Sequence, residues 1–219
     1  MKSAKLMALR AAAFAGLAAL AFASPAAAVT VTIDEAALDA VFAQEAFGAD
    51  PVDFRVAPVR RMRAPHLAKV ADASHEAALF DLARAMSPAI GLVFVESIDW
   101  CTGYDTEIVG CALRDAPGLF VEADFAAGPY GAEMIAHEIA HNLGLRHRTG
   151  GLMDPMLNGD MTLTSGEAMT VLASALVGSD ASGRFIDIAP VRIAPIPLPA
   201  SAPLLVLGAL ALVFARRRA

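Results

Sequence analysis

Apolar residues recur at strand and helix spacings from the start of the folded part of the chain. Residues 29–33 alternate valine or isoleucine with threonine, a pattern that predicts a strand. Asp34 follows at a position suited to cap a helix, which we expect to run to about Phe47. Residues 54–62 predict a second strand. The first quarter of the chain therefore mixes strand and helix.

The middle of the chain continues this mixture. Residues 74–86 have helical spacing, and Ser74 is available as the N-cap. Residues 91–95 are apolar and rich in β-branched side chains, which predicts a buried strand. Residues 119–124 alternate apolar with acidic or aromatic side chains, which predicts a half-buried strand.

The last regular element predicted is a helix. Thr164 and Glu167 form the spacing of a capping box, and the helix should run to about Val177. Residues 178–194 indicate only a short strand or a linker. We expect one α+β domain over residues 29–190.

Both ends of the chain have the pattern of targeting signals. Residues 1–28 have the basic start, apolar core and small-residue ending of a signal peptide, with Ala26-Ala27-Ala28 suited to signal peptidase. The mature protein should then begin at Val29 in an exported location: the periplasm, the cell envelope or the extracellular space. An uncleaved anchor helix is the alternative, but the apolar core is short for a membrane span.

The other end carries a proline-rich linker and an apolar tail. The linker covers residues 191–202 and includes Ile-Pro-Leu-Pro-Ala at 196–200, and the tail at 203–219 ends in Arg216-Arg217-Arg218. This resembles bacterial C-terminal sorting signals of the Val-Pro-Leu-Pro-Ala (PEP-CTERM) kind, although Ile196 replaces the valine. The resemblance implies a transient anchor cut by an exosortase-like processing enzyme. A permanent tail anchor, with the arginines cytoplasmic, is the alternative.

Charge excludes one class of partner. The chain has a formal charge of −6, and six of its 17 basic residues lie in the two ends, which carry no acid. The part between them has 11 basic and 23 acidic residues. No nucleic-acid partner is expected, because phosphate binding needs a basic face. Bound Ca²⁺ is possible for so acidic a domain but is not indicated by a charge count.

Cys101 and Cys111 are the only cysteines. In an exported protein an even count of cysteines predicts a disulfide. This disulfide would close a short loop and stabilise the folded state by about 2–3 kcal/mol. Residues 29–70 are alternatively a pro-segment. No cysteine lies there to act as a latency ligand, so activation by a cysteine switch is not expected.

Three of the five histidines fall in one window, residues 137–147, which has the pattern H-E-x-x-H-x-x-G-x-x-H. In a helix, His137 and His141 stand one turn apart on one face, at the spacing that two ligands of one metal ion need. Gly144 can end that helix in a left-handed conformation and bring His147 back toward them. His66 and His75 have no partner at ligand spacing.

The chemistry of this set favours one Zn²⁺ ion. Three neutral imidazoles leave a fourth position for water, and Glu138, beside the first ligand, can act as general base without binding the metal. Ile135, Ile139 and Leu143 would form the buried face of the helix. A surface helix with unrelated histidines is the plain alternative. A structural zinc site, in which four protein ligands surround the ion, would not require Glu138.

These residues resemble the signature of the metzincin clan of zinc endopeptidases, in which the extended motif is followed by a methionine turn. Residues 151–155, Gly-Leu-Met-Asp-Pro, look like that turn, and the resemblance places Met153 beneath the imidazoles as an apolar floor. Arg148 after the third histidine and the short spacing to Met153 leave the reprolysin-like and matrixin-like branches both open.

The resemblance also implies how a peptide is held. It implies a twisted mixed sheet whose edge strand, expected at residues 119–124, binds the substrate by main-chain hydrogen bonds. Residues 154–157 would form the wall of the pocket for the first side chain after the scissile bond.

We therefore expect an exported zinc endopeptidase acting on protein or peptide substrates. A non-catalytic zinc-binding protein of the cell surface or matrix is the rival hypothesis. Zinc-dependent hydrolysis of a non-peptide amide is a third. The first two differ in turnover, which a digestion assay with and without chelator would measure.

Overall fold

The computed structural model describes residues 31–103 and 108–194. A mixed sheet and several helices make up this part of the chain. The helices are α1 (Glu35–Phe42), α2 (Ala73–Arg84), α3 (Ala123–Ala126), α4 (Gly131–Asn142) and α5 (Ser165–Ala173), with 3₁₀ turns at Glu45–Phe47 and Pro65–Leu67. The strands are β1 (Val52–Val56), β2 (Arg60–Arg63), β3 (Lys69–Val70), β4 (Ile90–Val95), β5 (Ser97–Ile98), β6 (Gly110–Ala112), β7 (Leu119–Glu122), β8 (Gly178–Asp180) and β9 (Gly183–Ala194).

The main sheet has the order β1-β9-β4-β7-β6, with β2 and β8 also paired to β9. The pairs β1–β9, β9–β4 and β4–β7 are parallel, whereas β6 is antiparallel to β7. Strands β3 and β5 form a separate two-stranded sheet. The architecture is a mixed α/β one, consistent with the expected α+β class.

Helices cover both faces of the main sheet, and the side chains of β4 show why. All six residues of β4 are buried. Because successive side chains point to opposite faces of a strand, Leu92 and Phe94 join one core and Val93 and Val95 join the other. The first core receives α1, α4 and α5, and the second receives α2. Helix α4 is thus packed against the sheet along its buried side.

The N-terminal predictions were partly wrong. Residues 31–34 form no strand, and the helix capped by Asp34 ends at Phe42 before a separate 3₁₀ turn. Asp34 itself was predicted correctly, since its carboxylate accepts the N–H of Ala37 at 3.0 Å. The single strand expected over 54–62 is two strands, β1 and β2, which lie end to end beside β9. Residues 31–70 therefore share the sheet and core of the remaining domain.

The cap of α2 also differs from the prediction. Asp72 is the N-cap in place of Ser74, and its carboxylate accepts the N–H groups of Ser74 and His75 at 2.8 and 3.1 Å. The hydroxyl of Ser74 donates to the same carboxylate at 2.6 Å. An ionised carboxylate is the stronger acceptor for the free N–H groups of a helix start, so the N-cap lies two residues earlier than expected.

The prediction for residues 178–194 was wrong. They form the β8–β9 hairpin, and β9 is a strand of 12 residues in the interior of the sheet, between β1 and β4. It continues to Ala194, four residues past the expected domain boundary at 190. Helix α5 ends at Ala173, earlier than expected, although its capping box of Thr164 and Glu167 is present.

The two ends of the chain lie outside the described residues. The signal peptide, the sorting motif and the apolar tail therefore stay predictions. Within residues 31–103 and 108–194, no helix combines the length and the apolarity that crossing a membrane requires.

Candidate zinc site

Helix α4 carries the first part of the site. Ile135 and Ile139 are buried in the core, as expected, and so is Leu143 just beyond the helix. His137 and His141, four residues apart, face the cleft on the other side. The helix ends at Asn142, and Gly144 has φ 103°, a backbone conformation that glycine adopts without strain.

That turn brings the third histidine back to the other two. The Nε2 atoms of His137, His141 and His147 are 3.0, 3.1 and 3.2 Å apart in the three pairs. His137 is buried and His147 is exposed, so the group lies at the floor of an open cleft. The structure thus brings together the three residues that the sequence motif singled out.

The outer nitrogens of two rings have fixed partners. The Nδ1 of His137 lies 2.7 Å from the carbonyl oxygen of Leu152, and the Nδ1 of His141 lies 2.9 Å from that of Leu145. A carbonyl accepts only, so each Nδ1 carries the proton and each Nε2 presents a lone pair to the centre. Burial favours this neutral form, lowering the pKa of His137 to about 4 and that of His141 below its usual value.

This donor set fits a tetrahedral zinc ion. With Zn–N bonds of about 2.0–2.1 Å, three ligand nitrogens should stand about 3.3–3.4 Å apart. The observed separations of 3.0–3.2 Å are close to this value. Converging lone pairs repel one another unless a cation lies between them. The triad can therefore hold one Zn²⁺ ion, with a fourth position open to the cleft.

Glu138 is the one carboxylate that lines the described part of this cleft. Its side chain is only 8% exposed, and burial raises its pKa to about 8. It lies against Gly110 of β6, so closely that a Cβ atom at residue 110 would stand 2.7 Å from Oε1 of Glu138. A glycine at this point of β6 leaves room for the carboxylate.

Met153 lies fully buried in the core, directly after Leu152, whose carbonyl meets His137. The backbone N–H of Arg148 donates to the carbonyl oxygen of Met153 at 2.9 Å, which closes the turn after the third histidine. The Arg148 guanidinium donates to the Glu167 carboxylate at 2.6 Å. Arg148, which departs from the expected pattern, thus ties the turn to the start of α5.

The candidate substrate edge was assigned to the wrong strand. Residues 119–122 form β7, an interior strand paired with both β4 and β6. Among the described residues, β6 is the edge strand on this side of the sheet, and it lines the cleft beside α4. The sequence pattern could not show that β6 lies outside β7, because a strand of three residues is too short to have a periodicity of its own.

Pro155, Met156 and Leu157 also line the cleft. The side chain of Met156 is 69% exposed. The segment that follows is held by the buried carboxylate of Glu133, which accepts the N–H groups of Asn158 and Gly159 at 2.9–3.1 Å. The wall is therefore fixed to the N-terminal half of α4.

Sequence reasoning missed four residues here: Glu133, Asn142, Arg114 and Arg146. The buried Asn142 amide donates to the carbonyl oxygens of Leu113 and Gly118 at 2.6 and 2.9 Å, and so fixes the turn after β6. Arg114 and Arg146 line the cleft. Only the placement of Asn142 beside the second histidine was visible in the sequence.

The remaining predicted residues lie away from the triad or beside the cleft. Cys101 and Cys111 form the expected disulfide, with a Cα–Cα distance of 6.0 Å, and it links the edge strand to the loop after β5. His66 lies in a 3₁₀ turn and His75 in α2, outside the cleft lining.

The chain was compared with protein families, curated proteins and solved structures, and no match was found. The geometry by itself supports a zinc-binding triad of His137, His141 and His147 at the floor of an open cleft.

Proposed function

We propose that the chain is an exported zinc endopeptidase of the metzincin type. One observation carries the proposal: the three Nε2 atoms converge within 3.2 Å of one another, and the buried carboxylate of Glu138 follows the first ligand on the same helix. A purely structural zinc site requires neither an open fourth position nor a neighbouring carboxylate.

In this proposal the three imidazoles hold one Zn²⁺ ion. When bound, the ion supplies Lewis acidity, lowering the pKa of a water at its open position and polarising a carbonyl oxygen. The carbonyl oxygens of Leu152 and Leu145 keep the rings of His137 and His141 oriented, with each Nε2 toward the centre of the triad. The protein residues thus preorganise the site before a substrate binds.

Glu138 would act as the general base and then as the general acid. Its carboxylate takes a proton from the attacking water and returns it to the nitrogen of the leaving amine as the C–N bond breaks. The buried position against Gly110 keeps the carboxylate near the cleft floor. An extended peptide would add to β6, whose outer side has no strand neighbour in residues 31–103 and 108–194.

Export and sorting belong to the same proposal. They are supported by the signal-peptide pattern at residues 1–28, the Ile-Pro-Leu-Pro-Ala motif before the apolar tail, and a disulfide, which is favoured outside the cytosol. The protein would reach the envelope with a C-terminal anchor, either kept or removed by an exosortase-like enzyme.

A casein digestion with the purified full chain tests the proposal. The chain should cleave casein, lose activity with a chelator, and regain it when one equivalent of zinc is restored. Zinc bound at one equivalent with no cleavage of casein or of a peptide library would refute the peptidase. That result would favour the non-catalytic surface protein.

A further inference from the structure

The cleft has a direction, because β6 runs along α4 in the same sense as the helix. Gly110 at the start of β6 lies against Glu138. Leu113, just past the end of β6, accepts a hydrogen bond from Asn142 at the end of the helix. Residues that meet the N-terminal half of α4 therefore lie at one end of the cleft, and those near its C-terminus lie at the other.

The end at the N-terminal half is apolar. Met134, Pro155, Met156 and Leu157 line it. Glu133 fixes the segment that follows this wall, through its hydrogen bonds to Asn158 and Gly159. No charged side chain of the described lining lies at this end.

The opposite end is basic. Arg114 follows β6 and Arg146 precedes His147, and both side chains line the cleft and are exposed. The N–H of Asp115 donates to the carbonyl oxygen of His141 at 3.2 Å, which places this turn at the end of α4. Asp115 is the one described ion-pair partner of these arginines, with its carboxylate 72% exposed and 3.6 Å from Arg114 Nε.

This local charge is opposite in sign to that of the whole chain. The protein has a formal charge of −6, yet the described lining of the cleft contains two arginines and a single carboxylate, the buried Glu138. Exposed guanidinium groups beside a strand edge offer charge-assisted hydrogen bonds to carboxylates.

We propose that this basic end selects peptides with acidic side chains on the N-terminal side of the scissile bond. The inference rests on the proposed peptidase function. A peptide adding antiparallel to β6, the slightly stronger pairing, places its N-terminal residues beside Arg114. Arg114 lies in the turn two residues past the end of β6, and the four residues from Gly110 span at most about 13 Å, so the contacts fall within about four residues before the cleaved bond.

The test uses three peptides that differ at one residue, the third before the scissile bond: Glu, Gln or Lys, each followed by the same apolar residue after that bond. Binding is measured by fluorescence anisotropy to the zinc-loaded full chain with Glu138→Gln, and kcat/KM is measured with the unaltered chain. The Glu peptide should exceed the Gln peptide about three- to tenfold in both, since exposed charge pairs are worth at most about fivefold each. The Lys peptide should be the weakest.

Two double variants distinguish the effect of Arg114 and Arg146 from the effect of the protein's net charge. Arg114→Gln with Arg146→Gln should bring the Glu-to-Gln ratio close to one. The control, Arg60→Gln with Arg61→Gln, removes the same charge from exposed positions of β2, on the far side of β9, and should leave the ratio intact. Raising the salt to 1 M should lower the ratio in the unaltered chain, because screening shortens to about 3 Å.

The outcomes distinguish this inference from the function on which it rests. Equal binding and cleavage of the Glu and Gln peptides would overturn the inference and leave the peptidase standing. A binding preference that the arginine variants remove, without any cleavage, would support the recognition and refute the peptidase.

Discussion

Replacing Glu138 by glutamine separates chemistry from metal binding. The substitution keeps the shape of a residue that is 8% exposed, and it removes the ionisable carboxylate that accepts the proton. Glu138 is outside the group of three converging nitrogens, so zinc should stay at one equivalent. General-base catalysis is worth about two to four orders of magnitude, and kcat should fall by that factor.

The stability of the metal-free protein gives a second, independent measure of the environment of Glu138. Burial raises the pKa of Glu138 from 4.5 to about 8, which corresponds to about 5 kcal/mol in favour of the neutral carboxyl. The folded state then binds more protons than the unfolded state between these values, so stability falls as pH rises from 4.5 to 8. Glu138→Gln should remove this loss and make the chelated protein more stable than the unaltered one at pH 8.

The pKa of His137 is shifted in the opposite direction, and the pH window of its effect on stability overlaps that of Glu138. Its pKa is lowered from 6.5 to about 4 by burial, so it contributes a gain in stability as pH rises from 4 to 6.5. The Glu138→Gln variant and the unaltered chain share this gain. The difference between their free energies of unfolding, measured by urea titration across this pH range, therefore isolates Glu138.

Glu133→Gln is the matched control, since Glu133 is a second buried glutamate on the same helix. Its carboxylate accepts hydrogen bonds from backbone N–H groups, and the amide should lower stability by about 1–3 kcal/mol. Its effect on kcat should be far smaller than that of Glu138→Gln. Zinc content by mass spectrometry, casein cleavage and urea unfolding are measured on all three chains. Cleavage by the Glu138→Gln variant at the unaltered rate would refute the assigned role.

One further substitution and two measurements on the unaltered protein test other parts of the proposal. Gly110→Ala would place a Cβ atom 2.7 Å from Glu138 Oε1, so kcat should fall about tenfold or more with zinc retained; an unchanged kcat would contradict the contact. Non-reducing peptide mapping should find Cys101 linked to Cys111 in the exported protein, and two alkylatable thiols would contradict this. Intact mass from the native host should show a C-terminus near Ala200, whereas a product keeping the final arginines would indicate a permanent anchor.

The local features of the site could be predicted from the sequence because they depend on short spacings. A separation of four residues on a helix is enough to align His137 and His141, and a glycine is enough to let the chain turn before His147. The capping box of Thr164 and Glu167 is equally local. Each of these depends on residues that are close along the chain, so no knowledge of the remaining fold was needed.

The place of β9 could not be predicted in this way. Pro190 argues against an interior strand, because it lacks the N–H that a ladder needs. In the structure Pro190 stands opposite Leu92 of β4 and is buried, and β9 still pairs with β4 on one side and with β1 and β2 on the other. Pairing with strands more than 90 residues earlier decided this, and no local pattern contains that information.

The sequence by itself determined which side chains can hold a metal and which carboxylate stands beside them, because a helix repeats every 3.6 residues. Tertiary structure decided what surrounds them. It made β6 the edge strand, set Gly110 against Glu138, and placed Arg114 and Arg146 at the same end of the cleft. These contacts join residues about 25 to 35 positions apart, and their geometry depends on how the sheet and α4 pack.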